Sequence, residues 1–294
     1  VVFLFLVLTI GFVSGMYVAN ESMLQSAADG VNEYKQEDGH FELKKQADDA
    51  LLSAIETGEK ADVKQYYLDE AKKKLDKKYP KKFKSTFDEK FKSKFDAQFS
   101  AQDKIEDKYA DAEEKYKLND PDFKATKTIV YENFFRNEEE DYNNDGKKDG
   151  TIRVFPQTED INLACLLKGS FPQTKDEIAI DRMHADNVGV TVGDTITISG
   201  ETYKIVGLLA YVNYSTLHEK TTDLMFDALK FDVAMVTPEG FDRLHKSVHY
   251  TYAWKYEQRS IDEIEEKKQS DDFMKALLTQ TVVHENELQD YVPR

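Results

Sequence analysis

Apolar positions are distributed unevenly along the 294 residues of this chain, and their spacing divides it into three stretches. The first, Val1 to Ala19 (VVFLFLVLTIGFVSGMYVA), is apolar on every face and carries no charge before Glu21. Nineteen residues at ~1.5 Å each reach roughly 28 Å, close to the ~30 Å of a bilayer's hydrocarbon core. A transmembrane helix over residues 1–20 is expected, its start missing because no basic segment or initiator Met precedes Val1. A signal peptide is the competing reading, with Gly11, Ser14, Gly15 and Ala19 as small residues near a cleavage site. No second run of this kind follows, so everything after Asn20 is expected on one side of the membrane.

The second stretch, Ala47 to Leu118, has 17 Lys against 17 Asp plus Glu and lacks the Val and Ile clusters of strands. Its Ala, Lys, Glu and Gln content predicts long helices, with Gly58 and Pro80 as breakers and Asn119-Asp120-Pro121 as a stop. Phe83, Phe87, Phe91, Phe95 and Phe99 recur every four residues. Each step of four drifts about 40° on a helix of about 3.6 residues per turn, so the stripe sweeps about 160°. Such a stripe fits the core of a helical hairpin, and Ala47 to Tyr67 could supply the partner helix. The charges read as a solvated outer face with i,i+4 pairs.

Beyond Pro121 the pattern shortens to strands and short helices. Thr126 to Phe135 and Thr151 to Phe155 read as strands, as does Phe231 to Val236. In Asp194 to Gly207, Ile196 and Ile198 face one side and are answered by Tyr203 and Ile205 across a Gly200-Glu201 turn. Thr237-Pro238 is an N-cap followed by Pro at the first helical position, and Ser260 with Glu263 reads as a capping box. The expected fold class is α+β: a mixed small-sheet body with an inserted long helical coiled-coil hairpin and an N-terminal transmembrane helix. The boundaries are 1–20 for the membrane helix, 21–46 for the start of the body, 47–118 for the arm and 119–294 for the rest of the body.

Composition narrows the function classes. The net charge of −16 excludes a nucleic-acid binder, which concentrates Lys and Arg. A single cysteine, Cys165, excludes a disulfide framework and a cysteine zinc site; within the run Ile161 to Leu167 it reads as a small buried hydrophobe. His245 and His249 lie four apart but have no HExxH pattern or third ligand, and read as unrelated surface residues. No GxSxG, Walker A or GxGxxG motif is present, and acidic pairs are too common to single one out as acid–base machinery. No catalytic residue is expected.

The sharpest local motif is Asp141-Tyr-Asn143-Asn-Asp145-Gly146-Lys-Lys-Asp149. Oxygen donors at positions 1, 3, 5 and 9 with Gly at 6 match the first part of a calcium loop, making Asp141, Asn143, Asp145 and Asp149 candidate Ca²⁺ ligands. Position 12, where a bidentate Glu would close the shell, is Ile152. The same residues also make an ordinary solvated turn.

Thr151 to Tyr214 resembles the extracellular domain of FtsX/MacB-type ABC-transporter permeases. The residues that carry the resemblance are Gly169, Pro172, Glu177 to Asp181, Gly189, Val192 to Ile196, Gly200 and Tyr203 to Gly207. FDVAMVTPEGF, from Phe231, and the terminal NELQDYVPR are similar to that family too. Residues 47–118 depart from its compact members as an inserted arm. The resemblance implies a bacterial cell-membrane protein with residues after about 20 outside. Its implied partners are the rest of the permease, a separate cytoplasmic ATPase, and an exported substrate or an outside protein. The rivals are a free-standing anchored receptor or adhesin using the calcium loop and the arm, and a secreted enzyme with a cleft of acids.

Overall fold

A computed structural model describes residues 29–78, 113–114, 118–214, 217, 219, 227–260 and 262–294. The chain runs through β1 (Gly39–Leu43), α1 (Asp49–Glu56), α2 (Val63–Lys78), β2 (Thr128–Glu132), β3 (Arg136–Asp141), β4 (Gly150–Pro156), β5 (Ala164–Gly169) and β6 (Glu177–Asp181). It continues through α3 (Arg182–Val188), β7 (Thr195–Ile198), β8 (Glu201–Tyr211), β9 (Phe231–Val236), α4 (Pro238–Asp242), β10 (Tyr250–Tyr256), α5 (Glu263–Val283) and β11 (Leu288–Pro293). The fold is a mixture of helices and sheets in two compact units. One comprises the residues up to Asp38 with Tyr131–Ala253; the other comprises Gly39–Val130 with Trp254–Arg294.

The first unit is built on a mixed seven-stranded sheet in the order β5-β8-β6-β9-β4-β3-β7. β4 with β9 and β6 with β8 are parallel; the other pairs are antiparallel. Because β7 also pairs with β8, the strands β8-β6-β9-β4-β3-β7 close into a ring, which pairs both edges of β7 and leaves β5 as an end strand. Alternation along each strand then decides what fills the ring. Ile152, Val154, Ile178, Ile180, Ile196, Ile198, Tyr203 and Ile205 are fully buried in one cluster, joined by Phe241 and Leu244 from and beside α4. Phe155, Ala179, Leu209, Phe231, Val233 and Met235, one position out of phase, form a second cluster. Each of these large side chains stabilises the unit by roughly 1.5–3 kcal/mol through burial.

The hairpin β7–β8 has the facing pattern expected, but its turn is one residue earlier. Ile198 pairs with Glu201 and Ile196 with Tyr203, so the central residues are Ser199 and Gly200, at φ 47° and 90°. Two successive positive φ values make the primed turn that suits strand twist, and Gly at the second position relieves the cost. The expected single strand Thr126–Phe135 is interrupted: β2 belongs to the four-stranded sheet and β3 to the seven-stranded one, with Phe135 making only an isolated bridge to His249.

The second unit carries β1 and β11 with α1, α2 and α5, together with Thr128–Val130 of β2 and Trp254–Tyr256 of β10; the strand order of this sheet is β11-β1-β10-β2. Phe41, Trp254 and Phe273 are fully buried in it, and Trp254 stacks on Tyr291 with centroids 5.0 Å apart and planes at 12°. The segment 47–67 is not one helix. Asp48 caps α1, Leu51 and Ile55 bury its inner face, and Gly58, at φ 66°, reverses the chain before α2 begins at Val63. A Cβ on Gly58 would stand 2.0 Å from the Thr126 carbonyl oxygen, so glycine is required there. Asp262, not Ser260, caps α5, accepting from the amides of Ile264 and Glu265, while the Ser260 hydroxyl donates to Glu265. Asp outcompetes the nearer-matching motif because it meets two amides at the start of the helix dipole.

The run Val1–Ala19, Pro80 and the stripe Phe83–Phe99 lie outside the described residues. Among the described residues, no helix is long and apolar enough to cross a membrane.

Candidate functional site

β9 is buried at all six positions, so its second residue, Asp232, is enclosed although it carries a carboxylate. Strand alternation points it the same way as Ala234 and Val236, into the Ile-lined interior of the ring. Glu140, near the end of β3, faces inward as well, and it is opposite Gly150 of β4 in the ladder. A Cβ on Gly150 would stand 2.7 Å from the Lys230 carbonyl oxygen, so the strand can pass this point only without a side chain. The third member, His184, lies in the first turn of α3, whose N-cap Asp181 accepts from the amides of Met183 and His184 at 2.7 and 3.2 Å.

Glu140, His184 and Asp232 are each fully buried, and each offers a ligand atom within 4.8 Å of the others. Among the described residues they are the set of His, Cys, Asp and Glu side chains that gathers in this way. His184 Nδ1 is 2.8 Å from the Ala228 carbonyl oxygen, which fixes the proton on that nitrogen and turns Nε2 toward Glu140 Oε1 at 3.2 Å. That contact is close enough for an ion pair but is not aligned as a hydrogen bond. Asp232 Oδ1 accepts from the amides of Asp181 at 3.2 Å and Val233 at 2.7 Å. Both Glu140 oxygens, Asp232 Oδ2 and His184 Nε2 have no hydrogen-bond partner.

The electrostatics of such a pocket favour added positive charge. Burial works against an imidazolium at position 184, but the carboxylates of Asp232 and Glu140 outweigh it, and the His184 pKa is pushed up to about 9. Burial drives Asp232 well above the ordinary carboxylate range, against the attraction of His184. Asp181 is raised by burial too, against the pull of the two amides it caps. Glu140 also contributes to the wall of a groove of about 490 Å³, bounded by Asp141, Lys147, Lys148, His245 and Lys246.

The residues expected to bind calcium run from Asp141, the last residue of β3, through the β3–β4 connection, and they are differently engaged. Asp141 accepts from the amides of Asp145 and Gly146 at 3.1 and 2.8 Å; Asn143 accepts from Asp145 at 2.9 Å; Asp145 accepts from Lys147 at 2.9 Å. Their side-chain oxygens thus fold the turn from within. Asp149 is placed by its amide donating to the Glu140 carbonyl, and its Oδ2 is buried without a partner. None of the four joins the set Glu140–His184–Asp232.

The remaining singled-out residues are apart from it. His245 is exposed, 3.9 Å from Glu201, and His249 stacks on Phe135 at 4.6 Å. Cys165 is half-buried rather than buried, because β5 is the end strand of its sheet, and the Tyr34 hydroxyl donates to its sulfur at 3.1 Å. The buried cluster was not anticipated from the sequence. One signal was available: a charged residue inside the apolar run Phe-Asp-Val-Ala-Met-Val has no reason to be there unless something compensates it.

No family model and no curated protein matches this chain. Among solved structures it is similar to the periplasmic region of MacB from Actinobacillus actinomycetemcomitans, at 10% identity and a TM-score of 0.32, covering 59% of this chain and 75% of that one. It is also similar to the extracellular domain of the noncanonic ABC-type transporter YknZ from Gram-positive bacteria, at 13% identity and a TM-score of 0.30, covering 59% and 86%. At these scores the likeness gives no residue of this chain a role.

Proposed function

We propose that this chain is the outer domain of an ABC-transporter permease subunit, anchored in a bacterial cell membrane. It passes ATP-driven movement of the membrane part to substrate export or to an outside partner, while a separate cytoplasmic ATPase hydrolyses the nucleotide. The reading gives this chain no catalytic step. One observation supports it. Of the residues that resemble the permease family, those from Gly169 to Gly207 make one contiguous piece of the first unit, whereas the terminal NELQDYVPR lies in the second. Glu177–Asp181 is β6, Val192 to Ile196 leads into β7, and Tyr203 to Gly207 lies in β8, which pairs with both. The hydrogen bonding along this piece and its closed ring support a relay role.

The test is made on the full-length protein in its own membranes. Ile264 is 82% exposed; an Ile264→Cys variant in whole cells is expected to react with a membrane-impermeant maleimide, over the wild-type background set by Cys165. A tagged copy solubilised in mild detergent is expected to bring down an ATPase. An Ile264→Cys variant that stays unlabelled in intact cells and labels only after lysis, or purification with no nucleotide-hydrolysing subunit, would overturn the reading.

A further inference from the structure

We propose that Glu140, His184 and Asp232 bind one divalent transition-metal ion of the zinc class inside the ring of the first unit. The imidazole sets the requirement. Its Nδ1 is committed to the Ala228 carbonyl at 2.8 Å, so in the neutral tautomer Nε2 presents a lone pair. That lone pair faces Glu140 Oε1 at 3.2 Å, and two lone pairs do not hold each other at that distance in a dry interior. A cation must stand between them.

A proton is the smaller candidate, and it accounts for little of the site. On Nε2 it points off the line to Oε1, and it leaves the second Glu140 oxygen and Asp232 Oδ2 still without partners. A divalent ion takes one oxygen of Glu140, one of Asp232 and Nε2 of His184, which lie within 4.8 Å of one another. One imidazole nitrogen and two carboxylate oxygens are donors of the types that zinc accepts, with a fourth position left for water. Charge agrees, since two carboxylates and a neutral imidazole around a dication sum to zero. An imidazole nitrogen among the donors selects a transition metal over calcium or magnesium.

The supporting contacts are those a metal centre has. The far nitrogen of the histidine is held by a carbonyl, and the far oxygen of Asp232 by the amides of Asp181 and Val233. The ion would fasten β3, β9 and α3, three elements that share no covalent cross-link. The groove walled in part by Glu140 gives a side from which it could enter.

The test uses the full chain, purified without chelator and dialysed. Elemental analysis is expected to find about one equivalent of zinc per chain, as a single site requires. Stripping with a strong chelator is expected to lower the Tm by several degrees, and Zn²⁺ but not Ca²⁺ to restore it. Co²⁺ in its place should show the visible absorption of a tetrahedral ion. His184→Gln and Asp232→Asn should lose the equivalent, while Asp145→Asn in the neighbouring loop should keep it. Should the two cluster variants fail to fold, the wild-type stoichiometry and its chelator response decide alone. Substoichiometric metal in the wild type, with a Tm that neither chelator nor Zn²⁺ moves, would overturn the proposal and leave a proton-loaded triad.

Discussion

Lys275 Nζ lies 2.6 Å from Asp120 Oδ2 and 3.2 Å from Asp272 Oδ1, joining the long helix of the second unit to the segment that precedes β2. Donation from Lys275, with the Asp122 amide behind it, holds the Asp120 carboxyl down at about 2. Burial works against the Lys275 charge, but the two carboxylates outweigh it and raise its pKa.

The sign of the acid response follows. A carboxyl depressed in the folded state contributes stability that is complete above its unfolded value of about 4 and is lost as pH falls toward 2. Stability of the second unit should therefore decline across that window, and Asp120→Asn should flatten the decline. Trp254 is the single tryptophan and is buried in this unit, so its fluorescence during urea unfolding at stepped pH reports the effect. An unchanged pH slope in the variant would show that the pair does not act in this way.

Gly39→Ala should strongly destabilise the same unit. An added Cβ would stand 2.3 Å from Cζ2 of Trp254 and 2.7 Å from the Val292 carbonyl oxygen, and both are fixed by packing and by the β1–β11 ladder. Overpacking of this kind costs about 1–3 kcal/mol. The urea midpoint by tryptophan fluorescence measures it, and a change within error would mean the ring yields freely.

Gly200→Ala tests a different physical term in the first unit. Nothing lies within 4 Å of a Cβ at this position, so space is free, but φ is 90°. The cost is purely conformational, about 1–2 kcal/mol. Amide exchange in β7 and the first half of β8 should speed up, whereas exchange in β11 should not.

What the sequence revealed of these features depended on whether the signal was local. The alternation of Ile196, Ile198, Tyr203 and Ile205 was legible because one hairpin contains both its halves. The exact turn was not, since Ser199-Gly200 and Gly200-Glu201 differ only in which residue accepts a positive φ. Thr237 and Pro238 cap α4 as their types predict, with Thr237 accepting from Gly240. β3 was hidden because Arg-Asn-Glu-Glu-Glu-Asp has the composition of a solvated turn, yet Glu138 and Glu140 are buried in it. The cluster Glu140–His184–Asp232 draws on residues 44 and 48 positions apart, gathered by a parallel strand pair and a closed ring. No spacing rule within one sequence encodes that.

The start of α5 offers a prediction that separates two capping assignments. Asp262 accepts from the amides of Ile264 at 3.0 Å and Glu265 at 3.1 Å, and its charge faces the positive end of the helix. Ser260 reaches the same turn only through a side-chain contact with Glu265 at 3.3 Å, on the exposed surface. Losing the true cap strands two amides and costs about 1 kcal/mol, whereas losing an exposed side-chain pair costs a few tenths. Asp262→Ala should therefore lower the urea midpoint of the second unit clearly, and Ser260→Ala should hardly move it. Glu263, Glu265 and Glu266 crowd the same turn, so Asp262→Asn should retain most of the stability: the amide oxygen still accepts, and one repulsive charge is gone. Equal losses for Asp262→Ala and Ser260→Ala would instead favour the reciprocal box that the sequence alone predicts.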